Sequence, residues 1–197
     1  VPQLYFDFIA RVIPGVFLLL LFLCGYLGNL KLAINALTIW LNTNITSASL
    51  AALFAILIPL IAYTIAIITW GGWYLGFYVI SLVFGRNRDP ETGIKHLLDD
   101  GTKFSLAYDT IKKVDPDAGN RITKLKAEIH ASQLLITGLI ISLGINTYFH
   151  KINQTTLLFS IALVFLCGSR LHFITRCETA VKNCYQLIKE NQTLTDG

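Results

Sequence analysis

The sequence predicts an all-α membrane protein, a four-transmembrane-helix bundle with a small helical cytosolic cap. Three observations carry this. Only 14% of its 197 residues are charged against 54% hydrophobic, where an ordinary soluble domain carries about 25% charge. Residues 12–30, 32–85, 131–149 and 152–169 contain no Asp, Glu, Lys, Arg or His at all, and about 20 apolar residues suffice to cross hydrocarbon. The basic residues, finally, gather on one side of these stretches. This pattern excludes a soluble globular enzyme, a disulfide-rich secreted domain and a disordered chain. Too little chain remains for a large soluble domain on a single anchor.

The first span is expected at about 12–30. Before it, Asp7 and Arg11 stand at i, i+4 spacing on an amphipathic turn, and Pro14 marks the bend into the span. Residues 32–46 carry Asn35, Asn42 and Asn44 around an apolar core of about ten residues, too short to cross, so this segment reads as interfacial or re-entrant. The second span begins near Ser49 and its apolar run reaches Phe84. At 1.5 Å per residue that run is roughly 54 Å long, against a core of about 30 Å. Tilt, a kink at Pro59 or continuation into the cytosol absorbs the excess. The cluster of Trp70, Trp73, Tyr74, Phe77 and Tyr78 suits the inner interface. The third and fourth spans are expected at about 129–149 and 157–175. The chain thus divides into 1–85, with two spans and the segment between them; 86–128, a cytosolic helical segment; and 129–197, with two spans and a cytosolic helix.

Orientation follows from Lys and Arg. With four spans, all but Lys31 and Lys151 of the 16 basic residues fall on one side. Basic residues stay on the side that is not translocated, which puts both termini and 86–128 in the cytosol.

The segment 86–128 holds nine Lys and Arg and eight Asp and Glu. Asp89-Pro90-Glu91 predicts a helix start, because Asp caps, Pro fits the first turn and Glu faces the positive end of the dipole. Asp99-Asp100-Gly101-Thr102 predicts a break, 103–114 a short helix, and Asp115-Pro116-Asp117 a second start. From there Ile122, Leu125, Ile129, Ser132, Ile136, Leu139 and Leu143 form one seam at alternating spacings of three and four. Ile174, Cys177, Val181, Cys184 and Ile188 form another beyond the fourth span, so the two helices are expected to pack together outside the membrane.

Chemistry-bearing motifs are sparse. The sequence has no G-x-S-x-G, H-E-x-x-H or phosphate loop. The four cysteines lie in spans or in the basic tail, with neither disulfide context nor zinc spacing. Neither enzymatic activity nor a cofactor or metal is expected. Lys124, Lys126, Glu128 and His130 precede the third span while Arg170, His172 and Arg176 end the fourth. Together they form a possible charged inner mouth, or else ordinary snorkelling ends. Gly72 and Gly76, and Gly138 with Ser142, present small faces that let helices approach closely, either within one chain or in a homo-oligomer. Lys95, Lys103, Lys112, Lys113 and Lys182 are candidates for contact with a cytosolic protein partner or with membrane lipid. Their interspersion with acids speaks against direct nucleic-acid binding.

Two stretches carry a resemblance. The opening Asp7-Phe8-Ile9-Ala10-Arg11-Val12-Ile13-Pro14-Gly15-Val16-Phe17-Leu18-Leu19, and Lys124-Leu125-Lys126-Ala127-Glu128-Ile129 before the third span, resemble small four-span bacterial membrane proteins of anti-phage defence loci. The membrane accessory of type VI-B CRISPR systems and the membrane subunit of the Kiwa system are of this kind. The resemblance implies a place in the bacterial inner membrane, a cytosolic partner that recognises nucleic acid or phage, and a membrane response. An autonomous oligomeric channel or small transporter is the alternative, and a bacteriocin-type immunity protein a second.

Overall fold

The computed structural model describes residues 8–84, 88–89, 92–150 and 152–195. Among these residues are six α-helices: α1 (Ile13–Leu27), α2 (Leu30–Asn44), α3 (Ala48–Phe84), α4 (Phe104–Val114), α5 (Pro116–His150) and α6 (Gln154–Thr195). Four stretches are long and apolar enough to cross a membrane, Ala10–Leu27, Ala48–Gly76, Pro116–His150 and Gln154–Asn191. The expected multi-pass, all-α membrane architecture is what the chain adopts. The helices form two compact units. One is Val1–Trp73 with Ala131–Gly168, the other Tyr74–His130 with Ser169–Gly197. The expected Asp7–Arg11 pair lies outside the described residues.

The first unit is built around α1. A π-helical turn, Phe8–Val12, leads into it, and Pro14 follows, lacking the N–H that an α-helical turn would use. Small residues set the helix contacts. A side chain at Gly15 would run into the backbone of Ala62 on α3, and one at Gly25 would come within 2.7 Å of the Ser142 carbonyl oxygen on α5. Such backbone-to-backbone approach is how membrane helices gain dispersion contact where no hydrophobic drive exists between them. Cys24, Ala33, Leu139 and Phe159 form the buried cluster of this unit.

One corner of the unit is tied by polar groups. Gly28 ends α1 in the left-handed region at φ +69°, and Asn29 caps α2 by accepting from the Lys31 and Leu32 amides. The Gly28 carbonyl accepts from the Thr155 hydroxyl at 2.7 Å and the Asn153 amide at 3.4 Å. The His150 ring nitrogen meets the Tyr26 carbonyl at 2.6 Å. The segment expected at 32–46 is helical to Asn44, within the 15-residue helix α2, on which Ala33 alone is buried.

The second unit has its own core of Ile94, Phe104, Ala107, Ile111, Ile122, Ile129, Ile174, Cys177 and Val181. The two seams read from the sequence meet here: Ile122 and Ile129 of α5 share this core with Ile174, Cys177 and Val181 of α6. Asp115 caps α5 as expected, accepting from the Asp117 and Ala118 amides. The turn it forms is tight, with Gly119 against the Lys112 backbone.

One expectation fails. Asp89 does not start a helix: residues 92–103 are an irregular loop with isolated bridges Arg88 to Lys95 and Leu97 to Lys103. Asp89 instead closes a turn, taking the Thr92 amide on its side chain and the Gly93 amide on its carbonyl. Gly93 at φ +75° turns the chain out of the helical region. Asp-Pro starts turns as readily as helices, and the glycine three residues on decides between them. Among the described residues of 86–128, helix is confined to α4 and the start of α5. The expected break is present, with Gly101 at φ +80°.

Candidate functional site

In the second unit the polar residues of α6 divide by face. Ile174, Cys177 and Val181 point into the core. Arg170, Glu178, Lys182 and Lys189 hold the 88–103 loop. The Arg170 guanidinium donates to the Thr92 carbonyl at 3.4 Å. Glu178 accepts from the Lys95 amide at 3.1 Å and pairs with Arg88 at 3.5 Å. Lys182 pairs with Asp99, and Lys189 with Asp100 at 3.5 Å. The Lys182 hydrogen bond, reinforced by its charge, holds the Asp99 carboxyl below its ordinary value, and the Thr102 amide does the same for Asp100.

The third face opens on a cleft of about 670 Å³ between α5 and α6. Arg121, Lys124 and Glu128 line it from α5 at i, i+3, i+7 spacing, and His172, Thr175, Arg176 and Thr179 line it from α6. Thr175 and Thr179 donate their hydroxyls to carbonyls of their own helix. That leaves the guanidinium, ammonium and imidazole groups as the cleft's donors. No salt bridge joins Arg121, Lys124 or Arg176 to an acid among the described residues.

Of the residues expected at an inner mouth, Lys124, Glu128, His172 and Arg176 do come together here. Arg170 does not: it is turned to the loop, which packs against α6 at that point. His130 is half-buried and does not line the cleft. Arg121 was missed, although its helical spacing to Lys124 and Glu128 was visible.

The expected lysine face is only partly one surface. Lys95 and Lys103 border a second cavity of about 650 Å³ with Asp89, Asp109 and Tyr108. Lys112 and Lys113 are exposed in the last turn of α4, where they complement its dipole. Lys182 is half-buried and spent on Asp99, so it is not a free contact residue. Nearby, the Tyr108 hydroxyl donates to Thr123 at 2.5 Å, because Thr123 gives its own proton to the Gly119 carbonyl. The Lys126 ammonium lies 4.7 Å from the centre of the Tyr108 ring.

The small faces also separate. A side chain at Gly138 would strike Leu18, and Ser142 is fully buried beside Gly25. Of the two places the sequence left open for Gly138 and Ser142, both residues are taken up in packing within the chain. Gly72 and Gly76 have no neighbour within 4 Å of an added side chain. Among the described residues no three His, Cys, Asp or Glu side chains gather in a way that would hold a metal.

Fold and site define an all-α, multi-pass membrane protein with a separate polar helical unit. Compared with family models, with curated proteins and with solved structures, the chain matches none.

Proposed function

We propose that the chain is a non-catalytic subunit of the bacterial inner membrane, with both termini in the cytosol, whose polar unit receives a soluble protein partner. The observation that carries this is the second unit itself. It has its own apolar core and a loop pinned to α6 by Arg170, Glu178, Lys182 and Lys189. A fixed surface of that kind, with Lys95, Lys103, Lys112 and Lys113 exposed on it, suits recognition by a folded partner. The setting we favour is an anti-phage defence locus, supported by the resemblance of residues 7–19 and 124–129.

Purification of the tagged protein from native membranes, together with the products of neighbouring genes, tests the reading. A soluble partner is expected to co-purify. Charge reversal by Lys112→Glu with Lys113→Glu is expected to release it while membrane insertion stays intact. Retention of the partner by this variant overturns the assigned face.

A homo-oligomeric pore is the second reading. It is favoured by α3, which leaves most of its apolar surface, with Gly72 and Gly76, uncovered in the single chain. Ion flux through liposomes holding the purified protein alone would decide for it.

A further inference from the structure

The cleft lined by Arg121, Lys124 and Arg176 has an unexplained charge. Along the loop side of α6 and beside it five cations of the same unit have partners: Arg88 on Glu178, Lys182 on Asp99, Lys189 on Asp100, Arg170 on the Thr92 carbonyl, Lys126 over Tyr108. In the cleft three permanent cations and His172 face a single carboxylate, Glu128. A concavity lined by charge of one sign focuses its field and raises the local concentration of anions. Two of the cations are arginines on opposite walls, and the guanidinium fork matches the oxygens of a phosphate group two at a time. Glu128 then supplies an acceptor for a hydroxyl beside that phosphate.

The height of the cleft along its helices fits the same chemistry. On α5 its lining ends at Glu128, just before the uncharged run 131–149. On α6 it begins at His172, just after the uncharged run 152–169. In a membrane-spanning chain this is where headgroup phosphates lie.

We infer that the cleft between α5 and α6 binds a phosphate group flanked by a hydroxyl, carried by an anionic glycerophospholipid headgroup or by a soluble phosphate compound. This stands apart from the partner-docking face, which uses other residues.

Native mass spectrometry of the full-length protein in mild detergent tests it. Phosphatidylglycerol and phosphatidylcholine are titrated in turn, with inorganic phosphate as a competitor. Phosphatidylglycerol is expected to bind more tightly than phosphatidylcholine. Each charge removed is expected to cost about fivefold, so Arg121→Gln with Arg176→Gln weakens phosphatidylglycerol binding about 25-fold. Arg121→Lys with Arg176→Lys keeps the charge but loses the fork, and is expected to weaken binding less than the glutamine pair does. Lys31→Gln removes one charge away from the cleft and is expected to stay within about twofold.

Displacement by millimolar inorganic phosphate supports the site with a soluble source, and resistance to it supports a lipid source. Equal binding of the two lipids, or undiminished binding by the Arg121→Gln, Arg176→Gln variant, overturns the proposal. Partner capture by that same variant reports separately on the docking reading. All the substituted side chains are exposed, and unchanged thermal unfolding of each variant confirms that loss of binding is not loss of fold.

Discussion

The Arg11 guanidinium donates a hydrogen bond to the Tyr63 hydroxyl at 3.0 Å and lies 5.7 Å from the centre of the same ring. Tyr63 stands about 10 Å along α3 from Trp70, at 1.5 Å per residue. Arg11 is the second residue of the apolar stretch Ala10–Leu27 and Tyr63 lies within Ala48–Gly76, and a charge at the edge of an apolar layer is held by a polar or aromatic partner. Tyr63→Phe keeps the ring and removes the hydroxyl, and is expected to cost about 1 kcal/mol. Tyr63→Leu removes both contacts and is expected to cost about 2 kcal/mol or more. Unfolding of the detergent-solubilised protein by denaturing surfactant would show this order; equal stability of all three proteins would contradict the pairing.

Helix packing gives a sharper contrast. Gly138→Leu forces a side chain into Leu18 and is expected to destabilise the chain by at least the 1–3 kcal/mol typical of overpacking. Gly72→Leu meets open space and is expected to stay within about 0.5 kcal/mol. Thermal unfolding in detergent compares them directly. A drop in oligomer size with Gly72→Leu, at unchanged monomer stability, would place a subunit contact there.

The loop over α6 carries a pH dependence of defined sign. Asp99 is held below its ordinary value by Lys182, and Asp100 by the Thr102 amide. A carboxyl with a depressed folded value contributes stability above its unfolded value and loses it as the pH falls through the folded one. Amide protection in residues 95–103 is expected to be constant from neutral pH to about 5 and to decline below about 4. Asp99→Asn is expected to weaken the loop at neutral pH and flatten the decline. Hydrogen exchange across this range measures both, and a loop equally protected at pH 3 would speak against the ion pairs as its fastening.

Topology provides the fourth test. Reporter fusions after Gly197 and within 86–90 are expected to report the cytosol, and a fusion at 151–153 the opposite side. A translocated carboxyl terminus would reverse the orientation drawn from Lys and Arg.

How much was legible in the sequence varied with the range of the interaction. The seam from Ile122 to Leu143 was readable because helical period and hydropathy are local properties, and the structure buries Ile122, Ile129, Ser132, Ile136 and Leu139 along it. The Asp115 cap was readable because a cap needs only the next three residues. The Asp89 start carried the same signature and led instead to a turn, since Gly93 adopts a positive φ that no helix contains.

The sequence by itself determined that this chain is an all-α membrane protein with four apolar helices and a polar helical part. Charge depletion over some twenty residues admits no other economical burial of the backbone in lipid. Only the tertiary structure decided which charges are spent and which are left over. It pairs Lys182 with Asp99 and Arg88 with Glu178, and leaves Arg121, Lys124 and Arg176 facing one cleft. It also turned Gly138 and Ser142 inward while leaving Gly72 and Gly76 open. A residue's partner across 50 to 90 positions depends on helix rotation and side-chain reach, and neither is written in the local spacing that marks the helix itself.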